Sequence, residues 1–224
     1  MTNGRASAAL APAGVVHAHL RRSVHAAQVG DDIVLLDVAG DRYLCLPAAG
    51  GQARLEAGGR TLILCPQLAR TLPASLQAPA LEATPAPPGR PVCDLPDSAA
   101  LEPSAADWRR LALCYADYWR LFAGRSFAAI LAGVRRAARP AGRRGAAEAA
   151  AVFARLVVWA PVSGQCLVRS FLLMRFILRS GADAEWVFGV RTWPFGAHCW
   201  VQAEGVVLDD HAERLAGYVP ILAV

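Results

Sequence analysis

Residues 161–210 read PVSGQCLVRSFLLMRFILRSGADAEWVFGVRTWPFGAHCWVQAEGVVLDD, which divides into a loop, a helix and three short strands. Pro161, Ser163 and Gly164 break any preceding helix. Leu167, Phe171, Met174 and Leu178 recur at helical spacing, as do Leu173 and Ile177. Arg169, Arg175 and Arg179 make the polar side, and Gly181 follows where a left-handed cap is wanted. Cys166 therefore falls in or just before the first helical turn. There the unpaired N–H groups and the positive end of the helix dipole favour thiolate over thiol. The same N–H groups suit an oxyanion formed by attack on a carbonyl. A buried free cysteine, acting as a small hydrophobe, is the plainer alternative.

Beyond the helix, Glu185 to Arg191 is rich in β-formers, Thr192 to Gly196 is a turn, and His198 to Ala203 alternates. Glu204-Gly205 reads as a hairpin turn, with Val206 to Asp210 returning. Antiparallel pairing brings His198 near Asp209 or Asp210. A two-residue turn places Asp209 on the face of His198, whereas a three-residue loop with Gly205 as a bulge places Asp210 opposite it. The spacing leaves both open. A thiol, an imidazole and a carboxylate in this order are the parts of a cysteine protease or acyltransferase, the carboxylate fixing the imidazole tautomer. The alternative is a satisfied strand histidine beside a solvated strand end. His198, Cys199, Asp209, Asp210 and His211 are all metal-ligand types, but the chain has no CxxC or HExxH and no metal site is expected.

The string from Cys166 to Leu222 closely resembles the B protein of lasso-peptide biosynthesis. The features that carry it are CLVRS, the GVR–PF–AHCWV block, VLDD and the closing YVPIL. That family is a transglutaminase-like (papain-like) cysteine protease that removes the leader from a ribosomally made precursor. The resemblance implies a triad of Cys166, His198 and Asp210. Many members have Asn where this chain has Asp209, which favours Asp210 and, with it, the bulged loop. In the mechanism expected here, the Cys166 N–H and a nearby donor, the side chain of Gln165, hold the oxyanion. The implied partners are the precursor peptide and an ATP-dependent, asparagine-synthetase-like cyclase that closes the new N-terminus onto an acidic side chain.

The rest of the chain is read around that region. At 224 residues it can hold one domain or two small ones, and a 55% hydrophobic content is enough for a sizeable core. All 23 basic residues are Arg, and they are dispersed despite a net charge of +5. The dense cluster from Arg135 to Arg144 contains Pro140 and Gly142 and reads as a solvated loop. No basic stripe with interleaved aromatics suggests nucleic-acid binding, and no Gly-rich phosphate loop suggests a nucleotide. Cys45, Cys65, Cys93 and Cys114 lack framework spacing and read as reduced core residues of a cytoplasmic protein. The start lacks a signal-peptide pattern, and no apolar run reaches the roughly 18 residues of a membrane span. No cofactor is expected.

Three domains are expected. Residues 1–80 form a small α+β, winged-helix-like unit, 81–103 a proline-rich linker, and 104–224 the protease domain of helical bundle plus antiparallel sheet. In the first unit, Val15 to Leu20 is a strand, Ile33 to Val38 and Arg42 to Leu46 pair about Ala39-Gly40-Asp41, and Leu62 to Leu72 is a short helix. This pattern weakly resembles the precursor-recognition domain of peptide-maturation systems. The resemblance implies that a leader adds along Arg42, Tyr43, Leu44, Cys45 and Leu46, beside a helix. A scaffold unit with no ligand is the other reading.

In the protease domain, Ser104 and Asp107 have the form of a capping box. Trp108, Leu111, Tyr115, Tyr118, Trp119 and Phe122 then make an apolar face. Ser126 caps the next helix, and Ala146 to Ala160 is a third, with Phe153, Leu156, Val157 and Trp159 inward. The function expected is that of a cytoplasmic leader peptidase. Alternatives are a non-catalytic precursor-binding chaperone and an acyl transferase on the same scaffold.

Overall fold

The computed structural model describes residues 14–47, 51–56, 58–81, 86–96, 101–134, 144–159 and 166–224. These form two compact units that divide between Ala86 and Pro87.

The first unit carries strands β1 (Val16–Leu20), β2 (Val24–Val29), β3 (Asp32–Asp37), β4 (Arg42–Pro47), β5 (Ala53–Leu55), β6 (Thr61–Leu64) and β7 (Gln77–Ala78), with helix α1 (Pro66–Thr71). They make a sheet of order β5-β6-β1-β7 and a meander β2-β3-β4. The β3–β4 hairpin forms as expected, with Asp37 opposite Arg42 and the Gly40 N–H donating to Asp37 Oδ1 at 3.0 Å. The helix is shorter than expected: residues 61–64 are strand, buried against β1, and the helix starts only at Pro66, where proline suits the first turn. The unit is thus more β than a winged helix. Leu20, Ile33, Leu35, Leu62 and Leu64 are its core.

The second unit carries β8 (Cys93–Asp94), α2 (Ala105–Asp117), α3 (Phe127–Val134), α4 (Ala146–Val157), α5 (Cys166–Ser180), β9 (Glu185–Arg191), β10 (Gly196–Ala203), β11 (Val206–Val207), α6 (Ala212–Leu215) and β12 (Val219–Ala223). Its sheet runs β12-β9-β10-β11-β8. Together the units are an α+β mixture of helices and antiparallel sheets. Within the stretch read as linker, Cys93–Asp94 pairs parallel to β11 and so joins this sheet. Cys93 is exposed and Cys45 and Cys65 are half-buried, so only Cys114 of those four is a core cysteine. The cluster expected as a loop, 135–143, lies outside the described residues, while Arg144 is bonded to Asp107 at 2.9 Å.

Helix α5 is the centre of this unit. Every residue from Ser170 to Ile177 is buried, because helices pack on one side of α5 and the sheet covers the other. Each fully buried Phe or Leu here removes apolar surface worth about 1.5–3 kcal/mol. Of the arginines expected on a polar side, Arg169 is exposed, but Arg175 and Arg179 are drawn inward. Arg175 is 2% exposed, and its Nη2 lies 2.8 Å from Asp117 Oδ2, which Arg179 Nη2 also reaches at 2.8 Å. Burying guanidinium groups is costly unless they are paired, and Asp117 supplies the pairing. That ion cluster rotates α2 relative to the expected apolar face. The buried residues are Asp107, Arg110, Leu111, Cys114 and Asp117, whereas Trp108 and Trp119 are exposed. Trp159 is also exposed, although Phe153 and Leu156 point inward as expected. The Ser104 capping box is present, and Ser126 Oγ accepts from the Ala129 N–H.

Candidate active site

Cys166 is the first residue of α5, so its N–H and those following it have no intrahelical acceptor. β10 lies against α5 and carries His198. Opposite His198 on β9 is Gly189, where a Cβ would come within 2.7 Å of the Trp200 ring. Only glycine lets that indole lie across β9. Trp200 and Tyr218 in turn flank the imidazole, with ring centroids 6.4 and 5.6 Å from it.

Cys166, His198 and Cys199 line one cleft, and the Cys199 thiol, then His198, then the Cys199 N–H act on the Cys166 sulfur. These contacts, the Cys199 thiol foremost and then His198, bring Cys166 down to about 4 against the opposing effect of burial. His198 is pushed above its ordinary value by Cys166, and also by Asp210, against desolvation. Cys199 is driven far up by the neighbouring sulfur and by burial, so it stays a thiol and donates. A thiolate–imidazolium pair results.

His198 Nε2 donates to Asp210 Oδ2 at 2.6 Å. Asp210 Oδ1 accepts the His211 N–H at 2.8 Å and lies 3.1 Å from Arg214 Nη1. Both carboxylate oxygens are therefore held. The imidazole and the carboxylate are 18% and 7% exposed, which shields their bond from water while leaving the ring accessible.

The turn before them corrects the expected register. Ala203 pairs with Val206 and Gln202 with Val207, so Glu204-Gly205 is a two-residue turn, with φ of 51° and 79° as type I′ requires. There is no bulge at Gly205. Asp210 reaches His198 because the chain leaves the ladder after Leu208. The Leu208 N–H still donates to the Val201 carbonyl at 2.8 Å, but the Val201 N–H donates to Asp209 Oδ1 at 2.8 Å instead of to a strand carbonyl. Asp209 Oδ2 accepts from Ser170 Oγ at 2.5 Å. The loop is braced from the supposed linker too: Asp94 Oδ1 accepts the Ala212 N–H at 2.6 Å, and Gln202 Nε2 donates to the Gly89 carbonyl at 3.1 Å.

A cleft of about 740 Å³ opens over Cys166 and His198, with Val157, Val158, Leu167, Arg169 and Arg214 in its walls. A larger cleft, about 960 Å³, is lined by Arg144, Glu148, Asp183 and Glu204 and contains no nucleophile. Among the described residues no group of three or more His, Cys, Asp and Glu could hold a metal ion, and no helix is long and apolar enough to cross a membrane. Gln165 lies outside the described residues. Arg42 to Leu46 form β4, at one end of the β2-β3-β4 sheet, with Tyr43 and Leu44 exposed. Sequence reasoning missed Ser170, Cys199 and the part played by Asp209. Ser170 carried a signal, since it stands four residues after Cys166 on the same helical face. Cys199 carried none, because a strand cysteine beside apolar residues reads as core.

Over 45 residues the chain is 44% identical to the microcin J25-processing protein McjB of Escherichia coli, a match covering 20% of this chain and 22% of that protein. No solved structure matches. The resemblance drawn from CLVRS, AHCWV and VLDD is supported by that match. A family model described as transglutaminase-like superfamily matches residues 111–223, the span containing Cys166, His198 and Asp210. By that match over half its length, the chain belongs to the transglutaminase-like superfamily.

Proposed function

We propose that this protein is a cysteine peptidase that removes the leader from a lasso-peptide precursor before a partner cyclase closes the ring. The observation that carries the reading is the His198–Asp210 bond at 2.6 Å in the same cleft as Cys166, whose thiol His198 helps to bring down. Its agreement with the named processing protein in a 45-residue segment points the chemistry to a peptide precursor.

The Cys166 thiolate attacks the carbonyl carbon of the leader–core bond. The oxygen takes the negative charge, which the N–H groups at the start of α5 stabilise; Gln165 is the second donor in this reading. As the C–N bond breaks, the imidazolium of His198 gives its proton to the departing core amine, leaving a leader thioester on Cys166. Neutral His198 then takes a proton from water, hydroxide adds to the thioester, and the leader leaves as a free acid with Cys166 restored. Asp210 holds the tautomer of His198 throughout. The leader adds as a strand to β4 along Arg42, Tyr43, Leu44, Cys45 and Leu46, at one end of the β2-β3-β4 sheet. The setting is cytoplasmic, and the cyclase is an ATP-dependent, asparagine-synthetase-like enzyme.

Membership of the transglutaminase-like superfamily favours one other reading, in which an amine and not water accepts the leader acyl group. The mass of the product separates the two: a free leader acid means hydrolysis, a leader–amine adduct means transfer. Cys166→Ala is expected to abolish cleavage of a precursor while leaving its binding intact. Unchanged cleavage by that variant would overturn the mechanism, and unchanged binding without any wild-type cleavage would favour a presenting chaperone.

A further inference from the structure

Asp209 stands one residue before the carboxylate that holds His198, yet it faces elsewhere. Its Oδ2 accepts from Ser170 Oγ at 2.5 Å and its Oδ1 from the Val201 N–H at 2.8 Å. Ser170 is one turn beyond Cys166 in α5, and Val201 is three residues beyond His198 in β10. One side chain thus joins the helix bearing the sulfur, the strand bearing the imidazole and the loop bearing Asp210. It does so by taking an N–H that the β10–β11 ladder would otherwise give to the Leu208 carbonyl, and this is where that ladder ends.

We propose that Asp209 is a positioning residue: its bonds to Ser170 and Val201 set the distance of Cys166 from His198. The kinetic arm of this inference rests on the peptidase reading; the thiol-reactivity arm does not.

Burial pushes the Asp209 carboxyl up to about 6, against the pull of Ser170, the Val201 N–H and Arg169. The charged and titratable groups that act on it are Arg169 from α5, Asp210 in its own loop with Arg214 of α6 paired to that carboxylate, and the Cys199 thiol of β10. The clamp survives protonation. A carboxylate accepts both bonds; a carboxylic acid gives its proton to Ser170 Oγ while still accepting from Val201. An asparagine does the same, accepting through Oδ1 and donating through Nδ2. Geometry, not charge, is what the site needs from this residue.

The test uses the full chain as wild type, Asp209→Asn, Asp209→Ala and Ser170→Ala. Three quantities are read: kcat and KM on a precursor peptide, the pH profile of Cys166 alkylation by iodoacetamide followed by peptide mass, and thermal melting by circular dichroism. Asp209→Asn is expected within about threefold of wild type in kcat, and Asp209→Ala about 100-fold down with KM changed less than about twofold, since misplacing reacting groups by about 1 Å costs that much. The acid limb of alkylation should move up from about pH 4 in Asp209→Ala and stay in place in Asp209→Asn. Ser170→Ala removes one arm and should lower kcat about tenfold, and it carries the test if Asp209→Ala does not fold. A folded Asp209→Ala with wild-type kcat and alkylation profile overturns the inference. So does an Asp209→Asn as damaged as Asp209→Ala, because charge would then be the requirement. If the wild type cleaves no precursor, the peptidase reading fails, and the alkylation profiles still decide the clamp.

Discussion

His198 Nε2 lies 2.6 Å from Asp210 Oδ2, which leaves the other ring nitrogen for the Cys166 thiol. The imidazole therefore has one nitrogen for each partner. The carboxylate that fixes it is itself held by the His211 N–H and Arg214, so the ring is oriented from behind as well as from the sheet.

Removing that orientation should cost activity without unfolding the chain. Asp210→Asn is expected to lower kcat by about 10²–10⁴-fold, because the amide no longer selects the tautomer that faces the sulfur correctly. Precursor cleavage measured beside an unchanged thermal midpoint checks this. Retention of wild-type kcat would remove Asp210 from the mechanism.

The pH window follows from the two partners. Cys166 is brought down to about 4, so the thiolate is lost as pH falls through that value. His198 is raised above 6.5, so its imidazolium is lost as pH rises through the raised value. Cleavage should therefore hold between an acid limb near 4 and an alkaline limb above 6.5. In His198→Ala the alkylation limb should move toward the roughly 8.5 of a free cysteine. A limb still near 4 in that variant would show that the imidazole does not set it.

Cys199 supplies the foremost of the interactions that stabilise the Cys166 thiolate. Cys199→Ala deletes the S–H donor while keeping the backbone N–H. The Cys166 alkylation limb should rise by a measurable margin, with a small loss of stability of about 1 kcal/mol from the shortened core side chain. An unmoved limb would count against the thiol–thiolate contact.

The ion cluster of Asp117 with Arg175 and Arg179 is a structural matter. Asp117→Ala would take the carboxylate from a guanidinium that is 2% exposed and leave its charge uncompensated, at a cost of about 3–5 kcal/mol, although its bond to the Val134 carbonyl remains. Urea unfolding followed by tryptophan fluorescence should show the midpoint falling accordingly. A loss under about 1 kcal/mol would mean that water or another acceptor replaces the carboxylate.

Asp209 makes stability depend on pH with a defined sign. Its carboxyl is raised to about 6 in the folded chain from an ordinary 3.8, so the folded state favours the proton. That contribution is full below about 3.8 and is lost as pH rises through about 6. Asp209→Asn has no proton to lose. Its melting temperature should exceed that of wild type by a margin that opens between those two values and stays constant above them. A margin independent of pH would mean that the carboxyl is not raised.

The sequence by itself determined the local elements around the candidate site and the candidate residues, whereas residues 61–64, read as helix, are strand. Helical spacing after Cys166, alternation around His198 and the Glu204-Gly205 turn are short-range signals, and each survives in α5, β10 and the type I′ hairpin. The Ser104 capping box is local in the same way. The tertiary structure alone decided which faces are buried and which carboxylate does what. Asp117 pairs with Arg175 and Arg179 on the buried side while Trp108 and Trp119 stay exposed, because a buried guanidinium without its carboxylate is costly. Asp209 and Asp210 are chemically identical neighbours. Their separation depends on Ser170, 39 residues away, and on the Val201 N–H, partners that no spacing along the chain announces.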